Sequence, residues 1–449
     1  MASIAFFLEQ IKKSPLQALP PHLILNVCRR LGHKWRQREL DPAVTIGLFI
    51  QQVINGNTPC SEVRHIAGKS FTASAWCQAR QRLPLACYQA LVRDVYNMAS
   101  RDDRMGDHLW LGHRTFLMDG TSFSMPDTPE LQKEFHQPSE QKPGCGFPTA
   151  HLLVMFNAKN GLLVDAIAAC WHRGEMADVP GLIGHLSPGD VLIADTGFSS
   201  YVVLALLLQA GIHVLLPAHQ MRIVDFTPGR PFAREGTKDA AGKPRSRWIK
   251  SLGKEDQLVE YFKPRDRPAW MSQEAFDALP GSIIVRELRR TVYHPQGGAM
   301  ELTMVTTLTD AKKYSAEAIT ELRRSRWGVE TNIGHLKTTM KMDVLRCKTV
   351  EGVRKELCIF ALVYNLVRLV MMEAARRQKT PLDRISFADA LKWLRHARPG
   401  DQLPPLLINP SRPDRLEPRV KKRRPKSYTL MTKHRAQLKK ELENQSRKA

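Results

Sequence analysis

Three acids stand out by residue type and setting. Asp119 closes the run "RTFLMD" and precedes Gly120-Thr121, and Asp195 closes "VLIAD" and precedes Thr196-Gly197. Both runs are short and apolar, so each Asp is expected at the C-terminal end of a strand, where small neighbours let a ligand approach. If the two strands are neighbours, the carboxylates converge, and like charges at that range repel unless a cation neutralises them. In a chain that binds polyanions the natural cation is Mg²⁺, which takes hard oxygen ligands. Asp127, Asp165 and Asp190 lack this setting: none combines a strand end with a following Gly.

Glu330 is the third acid, within "RWGVETNIGHLK". At about 100° per residue, Arg323, Arg326, Glu330 and Lys337 fall in a helical stripe roughly 40° wide. Val329, Ile333, Leu336 and Met340 form an apolar stripe roughly 80° away. On the helix alone, Arg326 and Glu330 read as an i,i+4 ion pair worth a few tenths of a kcal/mol. A metal-ligating Glu330 requires the two upstream acids to meet it.

The elements that must position these acids follow from patterning. Residues 1–108 read as a helical N-terminal region, in which "CSEVRHIAGKSFTASAWCQARQRLP" suggests helix, turn, helix, capped by Thr72 or Ser74 and stopped by Pro84. Arg64, Lys69, Arg80 and Arg82 decorate it. A DNA-reading helix-turn-helix and a plain helical bundle with a basic surface fit equally well. Residues 109–217 alternate strands and helices. "HLLVMFNA" and "GLLVDAIAAC" form a hairpin, "GEMADVPGLIGHL" and "SSYVVLALLLQAG" read as helices, and "IHVLLPA" is a strand. Residues 218–309 read as a β-rich insertion ending in "SIIVRELRRTVY" and "MELTMVTTL". Residues 310–400 hold one long helix from Ser315 to about Met342 and further helices. Residues 401–449 end in a basic tail: positions 411–449 carry 14 Lys or Arg against 4 acids.

The whole chain is basic too. It has 67 Lys plus Arg against 44 Asp plus Glu, a net charge of +23 and a pI near 9.9. That balance points to a polyanionic partner, nucleic acid before an anionic membrane surface. No stretch reads as a membrane span: "LCIFALVYNLVRLVMM" is interrupted by Asn365 and Arg368, which suits a buried helix. "MASIAFFLEQ" is too short for a secretory signal and has no basic region before it. None of the eight Cys form a C-x-x-C pair or a zinc spacing, which fits reduced thiols in a cytoplasmic protein.

With its three acids in this order, the chain resembles the DDE transposases of bacterial insertion sequences, in particular the subgroup with a Y-x2-R-x3-E-x6-K signature. Arg326, Glu330 and Lys337 stand at those spacings. "MDGTSFSMPDTPE", "QKPGCGFP", "LKTTMKMDVLRCKTVEGVRKEL" and "EPRVKKRRPKSY" also look like the family, so the resemblance runs from about residue 60 to about 430. Two positions depart from it: Arg323 stands at the signature Tyr, and Thr196 where similar sequences often have Arg.

The resemblance implies an α/β fold, a ribonuclease H-like mixed sheet with a β-rich insertion before the last catalytic helix. It implies that Asp119, Asp195 and Glu330 hold two Mg²⁺ ions, with Mn²⁺ able to substitute, for in-line phosphoryl transfer without a covalent protein–DNA intermediate. Arg323, Arg326 and Lys337 are the implied DNA contacts. Double-stranded DNA is the implied partner, as terminal inverted repeats and as target, bound by a homodimer in the bacterial cytoplasm at the nucleoid. Relatives flip a base onto an aromatic of the insertion, for which Trp248 and Trp270 are candidates, core packing being the alternative for each. Two other readings stay open: a catalytically silent transposase-derived DNA-binding protein, and another ribonuclease H-like nuclease such as a resolvase.

Overall fold

The computed structural model describes residues 19–68, 70–100, 109–234, 242–293, 299–398, 401–408 and 431–446. Lys69 and the motif "EPRVKKRRPKSY" lie outside them.

Among the described residues five helices come first: α1 (Pro21–Arg30), α2 (Pro42–Ile54), α3 (Cys60–Ala67), α4 (Ala73–Arg82) and α5 (Leu85–Ser100). Asp41 caps α2 by accepting from the Val44 N–H at 2.8 Å, and Thr72 caps α4 through the Ala75 N–H at 3.0 Å. Gly68, at φ 59°, ends α3 in the left-handed conformation. The two expected helices and the turn between them are present, as part of a bundle wrapped around the largely buried α2. Arg80 corrects its assignment to the basic surface. Its guanidinium lies over the Phe49 ring at 4.6 Å and donates to Cys60 Sγ at 3.2 Å, so the long side chain is half-buried against the bundle. Arg64 and Arg82 are exposed.

Among the described residues the nine strands are β1 (Thr115–Ser124), β2 (Thr149–Asn157), β3 (Leu163–Cys170), β4 (Val191–Ile193), β5 (His213–Pro217), β6 (Arg247–Gly253), β7 (Asp256–Phe262), β8 (Ser282–Tyr293) and β9 (Ala299–Thr306), with helices α6 (Pro129–Phe135), α7 (Val179–Ile183), α8 (Tyr201–Gln209) and α9 (Gln273–Asp277) between them in the chain. They form one mixed sheet in the order 3-2-1-4-5-9-8-7-6. β4 runs parallel to β1 and β5, and the other neighbours are antiparallel. The strands of the insertion thus extend the same sheet, because β9 returns to pair with β5. Arg286 and Asp256 pin the extension: both are buried, the guanidinium donates to the carboxylate at 2.7 and 2.5 Å, and its third bond goes to the Tyr314 carbonyl at 2.6 Å. That bond anchors the chain just before the helix that follows.

Three expectations need correction. β1 does not stop at Asp119; its ladder with β2 continues to Ser124, and only its pairing with β4 ends, at Leu117. A strand that keeps one partner does not need the second to stay extended. "GEMADVPGLIGHL" is not one helix but a 3₁₀ turn (Glu175–Asp178) followed by the short α7 (Val179–Ile183). The long helix after Ser315 is broken into α10 (Ala316–Arg324) and α11 (Trp327–Gly334), and α11 ends in a π turn (His335–Thr339). At the break, Ser325 Oγ donates to the Leu322 carbonyl at 2.6 Å, and the backbone tightens into i→i+3 bonds, Arg326 to Arg323 and Val329 to Arg326.

The 29-residue helix Val350–Gln378 follows, then Phe387–His396. By length and composition the first could cross a membrane, yet 89% of its apolar window is buried inside the protein. The two polar residues that interrupt it are clamps. The Asn365 side chain accepts from the Leu163 N–H at 2.8 Å and donates to the Leu163 carbonyl at 2.9 Å, docking β3. Arg368 donates to the Asn160 carbonyl at 3.0 Å in the β2–β3 hairpin.

Candidate catalytic site

The parallel register of β1 and β4 pairs Leu117 with Ile193, so Asp119 and Asp195, each two residues further on, face each other past the last pair. β4 stops one residue short of Ala194, and the chain turns at Thr196–Phe198. From the other side α11 packs against β1, with Gly328 over Leu117. Glu330, in the first turn of α11, thereby comes into electrostatic range of Asp119.

All three carboxylates meet on one guanidinium. Arg326 lies 3.0 Å from Glu330, 3.1 Å from Asp195 and 3.7 Å from Asp119. The i,i+4 pair expected of the isolated helix is therefore real, and it is one edge of a four-residue cluster. Asp119 is the most enclosed acid, with 20% of its side chain exposed against 45% for Asp195 and 58% for Glu330. Burial raises the Asp119 pKa; Arg326 and the Gly120 N–H, which donates to Asp119 Oδ1 at 2.9 Å, pull it down, and Asp195 and Glu330 push it up again.

Arg323 sits behind this cluster. Its side chain is 8% exposed, its Nη1 donates to the Ala194 carbonyl at 3.1 Å, and its Nη2 is 3.8 Å from Asp195. Burial, then repulsion from Arg326, lowers its pKa to about 10. Lys337 points elsewhere. It lines a cleft of about 1090 Å³ together with Lys341, Arg346, Lys348 and the loop between α2 and α3. Trp248, Trp270 and Trp327 are half-buried, and Trp270 packs against the core. The three acids set aside have structural partners: Asp190 with Arg114, Asp165 with His185, Asp127 with Gln132.

The donor set is three carboxylates, hard oxygens suited to a divalent cation. Among the described residues no three His, Cys, Asp or Glu side chains are grouped tightly enough to share one metal ion. Arg326 lies between the acids and supplies the counter-charge.

Sequence reading missed Glu175. Its carboxylate lies against Gly120, beside Asp119. Burial raises its pKa and His151 lowers it, while Asp119, Asp178 and Asp195 raise it further, so the acid is in electrostatic reach of the cluster. Only the glycine after Asp119 hinted at a close approach there.

Residues 110–366 match the family described as Transposase DDE domain. The transposase InsG for insertion sequence element IS4 of Escherichia coli (strain K12) is 26% identical over 446 residues, covering 92% of this chain and 93% of that protein. The putative transposase InsZ of the same organism is 28% identical over 195 residues, 41% of this chain and 63% of that one. A cryo-EM structure of piggyBac transposase in a synaptic complex with hairpin DNA aligns at a TM-score of 0.37 and 10% identity, covering 88% of this chain and 80% of that one. The ordered acids and the span of the family match lead to one conclusion: the chain belongs to the DDE transposases of bacterial insertion sequences.

Proposed function

We propose that this transposase binds the terminal inverted repeats of its insertion sequence, cleaves DNA at the element ends and joins the 3′ ends to target DNA by two-metal phosphoryl transfer. The observation that carries the reading is the convergence of Asp119, Asp195 and Glu330 on Arg326. The strand order 3-2-1-4-5 in the first half of the sheet, with β2 antiparallel to β1, supports a ribonuclease H-like core.

Asp119, Asp195 and Glu330 would hold two Mg²⁺ ions, with Mn²⁺ able to substitute, whose chemistry there is activation of a water or 3′-hydroxyl and stabilisation of the leaving oxygen. The chain's own cations divide the rest of the work. Arg326 leaves the carboxylates for a DNA phosphate as the polyanion arrives, trading three acids for a charge-assisted bond. Arg323 stays buried and holds the Asp195 loop through the Ala194 carbonyl. Lys337 grips phosphate in its cleft as a point charge. The active species is a homodimer working on double-stranded DNA at the nucleoid, in the bacterial cytoplasm.

The experiment uses full-length protein, Mg²⁺ and a duplex carrying the terminal repeat copied from the flanks of its gene. Wild-type protein nicks at the repeat boundary. Asp119→Asn, Asp195→Asn and Glu330→Gln each abolish nicking and retain binding. Binding by wild-type protein without any nicking, in Mg²⁺ or Mn²⁺, would replace this reading with that of a silent DNA-binding protein.

A further inference from the structure

Glu175 is an acid that the three-carboxylate set does not include. It opens the 3₁₀ turn after β3, and its carboxylate rests against β1 where a side chain at position 120 would be. A Cβ on residue 120 would collide with both carboxylate oxygens. Gly120 is not among the residues with positive φ, so no turn geometry demands a glycine there. A side chain there would displace the Glu175 carboxylate from its present place.

The acid is poorly neutralised. Its one ion partner among the described residues is His151, 3.8 Å away, and the His151 ring is fixed by stacking on Trp171 at 4.4 Å. The Glu175 side chain is 36% exposed, so it is neither buried as a core acid nor free in solvent. Beyond Leu117 β1 has no β4 neighbour, and its open edge there is the one on which Asp119 and Asp195 converge. Four carboxylates share this region with two guanidinium groups, Arg326 at 3.1 Å and Arg323 at 3.8 Å from Asp195. Such a set is short of positive charge, which favours a divalent cation over an empty site.

Resting on the proposed function, we propose that Glu175 is a fourth acidic group of the cation site, a positioning residue that holds a water of the bound cation. Mg²⁺ and Mn²⁺ keep several of their waters in protein sites, and a carboxylate one water away fixes such a shell. The three ligating acids supply direct oxygen contacts, and Glu175 supplies orientation from across the Gly120 backbone.

The test is a Mn²⁺ titration of the full-length protein bound to its repeat duplex, with free Mn²⁺ read by electron paramagnetic resonance. Glu175→Gln keeps the shape of the side chain and removes its charge. Its Mn²⁺ affinity is expected to fall about tenfold, with thermal midpoint and DNA affinity retained. The Mn²⁺ concentration for half-maximal nicking should rise in parallel and be met by more metal. Gly120→Ala, which evicts the carboxylate, should give the same loss, and the double variant no more than either single one. Unchanged Mn²⁺ affinity in Glu175→Gln, with binding lost in Asp195→Asn, overturns this inference and leaves the proposed function standing. Failure of the wild-type complex to bind Mn²⁺ overturns both.

Discussion

The Arg326 guanidinium meets the Asp195 carboxylate at 3.1 Å, closing an ion pair between the loop after β4 and the start of α11. The same side chain reaches Glu330 and Asp119, so one cation offsets part of the charge of all three acids from within. An internal guanidinium and a metal ion compete for the same oxygens.

Arg326→Gln should therefore separate two effects. Without DNA, the variant should bind Mn²⁺ more tightly than wild type, because the competing charge is gone. With DNA, nicking should fall roughly 100-fold, the scale of losing one preorganised charge contact. Calorimetry and a single-turnover nicking assay check the two halves. Equal Mn²⁺ affinity in the DNA-free proteins would show that the guanidinium does not guard the site.

Arg323→Ala should cost stability rather than DNA contacts. The substitution leaves the buried Ala194 carbonyl without its donor, a loss of about 1–3 kcal/mol. Urea denaturation reads it directly. The Asp195 loop loses its brace as well, so nicking should drop more than repeat binding does. A variant with wild-type stability and much weaker DNA binding would make Arg323 a phosphate contact instead.

Lys337→Ala should weaken DNA binding across all sequences. One phosphate contact fewer lowers the slope of log affinity against log salt by about 1. Titrations at several salt concentrations give that slope. An unchanged slope would place the DNA away from this cleft.

Asp119→Asn should be as stable as wild type at neutral pH or more so. Burial, the leading cause, holds the folded Asp119 pKa above its unfolded value, so the folded state binds more protons between the two. Stability from this group is present below the unfolded pKa and is lost as pH rises through the folded one. The asparagine carries no such loss. The gap between variant and wild type should narrow as pH falls from neutral into the carboxylate range, as measured by thermal unfolding at each pH.

Much of this was legible in the residues. Strand–helix alternation and the +23 charge follow from local patterning and composition, and the β8 run was read to its ends. The segments that failed are those where a tertiary partner outweighs local preference. Gly120-Thr121-Ser122 look like the end of a strand, yet the β2 ladder keeps them extended. Arg80 looks like a surface cation, yet Phe49, Trp76 and Cys60 half-bury it. The break at Ser325 is instead local: its hydroxyl turns back onto the Leu322 carbonyl three residues earlier.

The sequence by itself determined which acids could do chemistry, because residue type, strand-like context and the spacing around Glu330 are local properties. It could not determine that they meet on Arg326, since that contact needs the β1–β4 register and the tightened turn ahead of α11. Nor could it reveal Glu175, whose place depends on the missing side chain of Gly120, more than fifty residues upstream. Distances between residues far apart in the chain are set by packing, and only the tertiary structure decides them.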